Sequence, residues 1–246
     1  MKIVADMHTH TVASGHAYST VNEMAGEARR KGLKALAFTD HGPALPGGPH
    51  LYHFGAMRFI PPWIAGVRIL RGVEANIIGA DGTLDMPESY LARLDFVLVG
   101  LHEGTGFEDC GIDGNTEAVI RAMANPRVRA VAHSGNPAYP VRLEKLVQAA
   151  VETGTALEIN NASFSQSRGG SRPHCEHLAE QIARCGALVV VGSDAHIAQG
   201  VGVFGEAVAV LEKAGIPAEQ VVNSSYGQLL EFLGMEDSPD RESLKP

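Results

Sequence analysis

Seven times along this chain a short apolar run ends in a polar cluster, and a helix-like segment usually follows. KIVADMH leads to His8 and His10, KALAFTDHG to Asp40 and His41, VRILRGVEAN to Glu74, and LDFVLVGLHEG to His102. VRAVAHSGNP ends at His133, TALEINNAS at Glu158 and two asparagines, and ALVVVGSDAH at Asp194 and His196. TVNEMAGEARRKG, NTEAVIRAMAN, LEKLVQAAVETG and SRPHCEHLAEQIARCG read as helices, with glycine stops at Gly32 and Gly154, and two more helices close the chain. Alternating strand and helix implies a parallel sheet. The nearly uniform apolarity of 94–100 and 187–191 fits strands covered on both faces. About seven strands in one α/β domain favour a barrel related to the (β/α)8 design over an open doubly wound sheet. In both, polar residues at strand C-termini face the site. Residues 42–66, rich in Pro and Gly, read as an active-site loop. One domain is expected over 1–246, its polar tail from about 235 frayed.

Composition narrows the partners. Hydrophobic residues make up 45% and charged residues 20%, which is ordinary for a soluble globular protein. The net charge of −8 argues against a nucleic-acid partner, because phosphate contacts need Lys and Arg. Three cysteines without a C-x-x-C spacing disfavour a disulfide framework or a thiolate zinc site, and point to a reducing cytoplasm. No secretory signal and no stretch of membrane-spanning length are legible.

Six of the seven strand ends carry potential metal ligands: His8 and His10, His41, Glu74, His102, His133, then Asp194 and His196, with His16 in the loop after the first strand. On a strand, residues i and i+2 point to the same side, so the pairs His8/His10 and Asp194/His196 can each converge on one centre. Imidazole and carboxylate are ligands for Zn2+, Mn2+ and Fe. Nine ligands exceed one ion's needs and suit two or three, with a carboxylate bridging. Any single histidine here reads equally well as a hydrogen-bonded core residue. As a set, buried without metal, they would leave many polar groups needing partners. His50, His53, His174 and His177 fit no strand end and read as solvated. Asp6 and Asp40 read either as acceptors orienting imidazoles or as ordinary strand-end acids. Glu158 is set outside the nine. Arg168, and less so Arg172, are candidate phosphate clamps. GSD at 192–194 is no nucleophile elbow, which disfavours a serine nucleophile.

DMHTH, GHAYST, FTDHGP, RGVEANI, GLHEG, AHSGNP, EINNASF and GSDAH, in this order, resemble the PHP (polymerase and histidinol phosphatase) family, and within it the YcdX-like phosphatases. The resemblance runs from about residue 3 to about 235. It implies a distorted (β/α)7 barrel with three divalent ions at the strand C-termini, Zn2+ first and Mn2+ or Fe as alternatives. His8, His10, Glu74 and Asp194 would hold one ion. Glu74, His102 and His133 would hold a second, with Glu74 bridging, and His16, His41 and His196 a third. EGTGFEDCG at 103–111 and Ser134 depart from the pattern of those relatives, which leaves substrate identity open. The relatives further imply a homo-oligomer, a trimer, although no coiled coil or apolar stripe supports it here.

The expected chemistry is hydrolysis of a small phosphomonoester by a metal-bound hydroxide, with Glu74, Asp194 and Arg168 as the catalytic set. A metal-bound water, Asp194 or a loop histidine is the candidate general acid. Three alternatives compete. A PHP-type phosphodiesterase or nuclease is disfavoured by the acidic charge. An amidohydrolase would use a carbamylated lysine, and Lys31 and Lys34 lie before a strand instead. The third is a non-catalytic metal protein.

Overall fold

The computed structural model describes residues 1–165 and 167–237. The frayed-tail expectation falls mostly on residues 238–246, outside the described residues. Seven parallel strands are laid down in chain order: β1 (Ala5–Asp6), β2 (Ala35–Phe38), β4 (Val67–Asn76), β5 (Phe96–Gly100), β6 (Ala130–Val131), β7 (Ala156–Asn160) and β8 (Val189–Gly192). An eighth, β3 (Trp63–Ile64), runs antiparallel to β4 outside this path. The segment 42–66 is therefore not wholly loop, since it also holds α2 (Leu51–Ala56). The remaining helices are α1 (Val21–Arg30), α3 (Glu88–Leu91), α4 (Gly111–Met123), α5 (Leu143–Thr153), α6 (Ser171–Cys185), α7 (Gly205–Lys213) and α8 (Tyr226–Leu233). Helix α4 starts four residues before the expected Asn115. Its apolar face, Ala118, Val119, Ala122 and Met123, packs into the core between sheet and helices.

The result is a nearly closed parallel barrel, as the alternation predicts. The small residues inside it, Ala5, Ala35, Ala37, Ala130, Ala132 and Ala156, pack with Met7, Leu70, Phe96, Leu98 and Val190. A barrel's bore widens with strand number, and seven strands leave room for few large side chains. Leu229 of α8 joins this inner cluster.

β1 and β8 form no ladder, and the seam between them closes in two ways. Beyond the strand ends their backbones meet directly: Asp194 N donates to His8 O at 2.9 Å, and His10 N to Ala195 O at 2.9 Å. At the other end the segment 221–223 fills the gap. Val4 N donates to Asn223 O, and Val222 N to Val189 O. The buried Asn223 side chain accepts from Val191 N and donates to Ala5 O and Val191 O. Asp6 completes the closure by accepting from Ser193 N at 3.0 Å and Gly202 N at 2.8 Å. On the side where the ligand pairs lie the two strand extensions bond directly, while on the far side the segment 221–223 bridges them through two backbone bonds and the Asn223 amide. Truncation of Asn223 to Ala strands three buried backbone groups, each costing about 1 kcal/mol or more. The Asn223→Ala variant is expected to melt at least ~5 °C below the parent by calorimetry, and an unchanged melting temperature would contradict this closure.

Candidate metal centre

All nine sequence-selected residues sit at the same end of the barrel. Glu74, fully buried near the end of β4, lies in the middle. Its two oxygens face different partners. Oε1 is 3.0 Å from His102 Nε2 and 2.8 Å from His133 Nε2. Oε2 is 2.9 Å from His41 Nδ1, 3.2 Å from His8 Nε2 and 3.5 Å from His10 Nε2. Asp194 Oδ1 stands 3.2 Å from His10 Nε2 and 3.6 Å from both His8 Nε2 and His196 Nδ1. The same-face expectation for the first pair holds, with His8 Nε2 and His10 Nε2 3.0 Å apart. His16 lies further out, its ring centroid 5.2 Å from His41 and 4.8 Å from His196.

Three ligand atoms of this set, His41 Nδ1, Glu74 Oε2 and Asp194 Oδ1, are buried and make no hydrogen bond of adequate geometry among the described residues. Three such orphans at one point would be costly. Two ligands of one tetrahedral ion, each about 2.0–2.1 Å from it, stand ~3.3 Å apart, and the spacings above bracket that value. The donor set therefore fits divalent cations. His8, His10 and Asp194 form one close triad, His41, Glu74 and His102 a second, and His10, His41 and His196 a third. These groupings overlap the sets implied by the resemblance but differ in detail: His10 replaces His16 in the third, and His41 stands beside Glu74 in the second.

Three of the inward nitrogens are aimed by what holds the opposite side of their rings. His8 Nδ1 is 2.7 Å from Glu158 Oε1, His10 Nδ1 3.3 Å from Ser14 Oγ, and His102 Nδ1 2.8 Å from Asn76 Oδ1. Glu158, only 2% exposed, also accepts from His133 N, so it holds the His8 ring and the His133 backbone at once. Asn76 donates to Asp85 Oδ2, and Asp85 also accepts from Ala44 N. Asp40 accepts from Thr11 N, Thr11 Oγ1 and Ser14 Oγ, and so acts on His10 through Ser14. Asp6 binds backbone groups of the seam and orients no imidazole.

Sequence reasoning missed the weight of Glu158 and the Asn76–Asp85 pair. The i, i+2 spacing of Glu158 and Asn160, the same as in H-x-H, was the available signal. His53 departs from its solvated reading. Its Nε2 lies 3.2 Å from the buried Asp40 Oδ2, because α2 folds back over the strand ends. His50 caps that helix through Tyr52 N, His177 pairs with Glu144, and His174 is exposed. Lys31 is tied to the carbonyls of Gln199 and Val201, and Lys34 is exposed, so neither serves as a bridging ligand.

Two glycines permit this crowding. A Cβ at Gly192 would sit 2.4 Å from both Glu158 Oε1 and His8 Cβ, and one at Gly100 would sit 2.9 Å from His102 Cε1. Backbone strain gathers here too. Among described non-glycine residues, His133, Arg168, Asp194 and the distant Ala65 have left-handed φ values. Such residues cost about 1–3 kcal/mol each and persist where surroundings over-determine them.

Burial drives His10 and His133 down to about 3, so both imidazoles are neutral, as ligands must be. His8 differs. Burial opposes its charge, but Glu158, Glu74 and Asp194 surround it and raise its pKa well above the usual value. Burial likewise disfavours the charged forms of Glu74 and Asp194, yet both are held well below the carboxylate range, Glu74 by His8, His41 and His102, and Asp194 by His8 and Arg168. Arg168 Nη1 lies 2.9 Å from Asp194 Oδ2. Over the donors opens a cleft of about 440 Å³, lined by Arg168, His16, His196, Glu103, Leu45 and Pro46 among others. Arg172 lies outside it, paired with Glu206.

Residues 6–134 match the PHP domain, and the chain is 48% identical over 235 residues to a protein named "Probable phosphatase" from Syntrophotalea carbinolica, covering 96% of this chain and 98% of the relative. The chain belongs to the PHP family. A second "Probable phosphatase", from Acetivibrio thermocellus, is 51% identical over 233 residues and covers 95% of this chain and 96% of its own. Among solved structures, the histidinol phosphate phosphatase of Lactococcus lactis, complexed with Zn, L-histidinol and phosphate, superposes with a TM-score of 0.60 at 17% identity, over 88% of this chain and 95% of that one. That likeness carries the fold. Among the described residues, no helix is long and apolar enough to cross a membrane.

A protonated His8 must lose its proton to become a ligand. Its raised pKa means that divalent-cation affinity climbs as pH rises through neutrality and falls as pH drops. Calorimetric titration of metal-stripped protein with Zn2+, in buffers of differing ionisation enthalpy, is expected to show net proton release with the first ion. Zero release would contradict the charge state assigned to His8.

Proposed function

We propose that this protein is a metal-dependent phosphatase that hydrolyses a small phosphomonoester at a centre of up to three divalent ions, Zn2+ first, with Mn2+ or Fe as alternatives. The observation that carries the reading is the Glu74 carboxylate, whose two oxygens serve two groups of histidines while Oε2 makes no hydrogen bond of adequate geometry among the described residues. His8, His10, Glu74 and Asp194 would hold one ion; Glu74, His102 and His133 a second; His16, His41 and His196 a third. Bound there, divalent ions supply Lewis-acid charge for phosphate oxygens and acidify water.

The chain's own residues do the rest. Glu158, Ser14 and Asn76 keep the imidazoles aimed inward, so little reorganisation is needed when substrate binds. Arg168 is 15% exposed at the cleft, and among the described residues its hydrogen bonds to Asp194 and Ser167 both use Nη1. A guanidinium carries five N–H donors, so its remaining donors are free to grip equatorial phosphate oxygens as negative charge builds. Asp194, ionised between Arg168 and two histidines, accepts a proton more readily than it donates one, which moves the general-acid role toward the solvent side of the cleft. The relatives named as probable phosphatases support the same reaction class.

The test is phosphate release from p-nitrophenyl phosphate by metal-stripped protein refilled with Zn2+ or Mn2+, with bis-p-nitrophenyl phosphate as the diester control. Metal-dependent monoester turnover is expected. It should fall at least a thousandfold in His8→Ala, and Arg168→Ala should lower kcat/KM about a hundredfold. Turnover of the diester alone would move the protein to the nuclease class of the family.

A further inference from the structure

We propose that His53, on the short helix α2, is a positioning residue of the metal centre, which fixes the proton on the His10 imidazole through Asp40 and Ser14. The consequence for metal affinity rests on the metal-dependent reading of that centre, whereas the chain of contacts rests on its own geometry.

Asp40 is fully buried, and a carboxylate offers about four lone-pair sites to donors. Three are filled from the loop after β1. Oδ1 accepts from Thr11 N and from Ser14 Oγ, both at 2.7 Å, and Oδ2 accepts from Thr11 Oγ1 at 2.8 Å. The fourth site faces His53, whose Nε2 stands 3.2 Å from Oδ2. The approach is off the line of a well-aligned hydrogen bond, so the contact is mainly electrostatic. Burial disfavours the charge on Asp40, yet His53 and Ser14 hold its pKa down at about 2. Asp40 is therefore an acceptor only, and His53 must present Nε2–H to it. Without that fourth donor, one side of a buried carboxylate loses its compensation.

Ser14 carries the effect inward. Its hydroxyl has one proton, and that proton goes to Asp40. Its lone pairs are left to accept: His41 N donates to Oγ at 3.3 Å, and His10 Nδ1 stands 3.3 Å from it. The neutral His10 ring must then carry its proton on Nδ1, which leaves the Nε2 lone pair facing Asp194 Oδ1 and Glu74 Oε2. An Asp40 carboxylate turned toward another donor would release the Ser14 hydroxyl. Ser14 could then donate to His10 Nδ1, and the ring proton would sit on Nε2, the nitrogen needed as a ligand.

Helix α2 does not depend on His53 for its own place. Phe54, in the helix, and Met57, at its end, are buried in the main core and anchor this stretch of chain. The His53 side chain is partly exposed and meets a carboxylate instead of apolar neighbours of that kind. Its substitution therefore leaves the helix its apolar anchors and removes the donor to Asp40.

Two measurements test this: the ring 15N shifts of His10 in metal-free protein, and Zn2+ affinity read by competition with a chromophoric chelator. His53→Leu is expected to move His10 from the Nδ1–H tautomer toward Nε2–H and to weaken Zn2+ binding about tenfold. His53→Gln, whose amide keeps an N–H donor, should restore most of both. Asp40→Asn should weaken binding as well, and His53→Leu should add little in that background, because its effect passes through Asp40. A His53→Leu protein with the parent's His10 shifts or the parent's Zn2+ affinity overturns the positioning role, even where its melting temperature falls. Full additivity of the two substitutions, or a His53→Gln protein no better than His53→Leu, overturns it too. Wild-type protein that binds no Zn2+, while its His10 tautomer still responds to His53→Leu, would overturn the metal-dependent reading and leave the positioning role standing.

Discussion

The structure depends on the Glu74 carboxylate at the centre of the strand ends. A fully buried carboxylate is expensive unless compensated, and here five imidazoles lie within 3.5 Å of its two oxygens. Imidazole nitrogens alone cannot satisfy one another at such range, because each neutral ring has a single donor. Divalent cations, if bound there, would resolve the conflict by giving those lone pairs a partner. The centre is therefore a place where the polypeptide is arranged at a cost that the charge on His8 and Arg168 offsets in part and that a bound cation would offset further. Small residues beside it, Gly100 and Gly192, and the left-handed backbone of His133 and Asp194 belong to the same bargain.

The barrel makes this arrangement rigid. Parallel strands deliver their C-terminal residues to one end, so ligands far apart in sequence meet without a dedicated loop for each. The seam matters most, because His8 and Asp194 lie on its two sides and are joined by their own backbones. Closure of the barrel and assembly of the ligand set are the same event on that side. On the other side Asn223 performs closure with no link to chemistry. The two ends of one seam thus divide function from stability, as barrel enzymes generally do.

Much of this was legible in the sequence because it depends on local rules. Apolar runs of strand length, glycine stops and the two-residue spacing of His8/His10 each report a periodicity, whereas Asp194 and His196 lie past the end of β8 with Asp194 in a left-handed conformation that strand spacing does not describe. The motifs quoted from DMHTH to GSDAH carried the family as well. What stayed hidden depends on pairings across the fold. Glu158 aligns His8 from 150 residues away, and nothing near it in sequence says so. Asp85 supports His102 only through Asn76. His53 looked like a loop residue until α2 brought it to Asp40. Asn223 sits in a segment with no strand pattern, because it replaces a ladder that is not there.

The measurement that tests the central role of Glu74 most directly is metal content and position in wild-type and Glu74→Gln protein, by elemental analysis of Zn2+-loaded samples and anomalous diffraction from their crystals. The account predicts at least two ions in the wild type, one against each Glu74 oxygen, and their joint loss or at least tenfold weaker retention in Glu74→Gln, with the fold intact by circular dichroism. A single ion touching neither oxygen, or a Glu74→Gln protein that keeps its full complement, would contradict it.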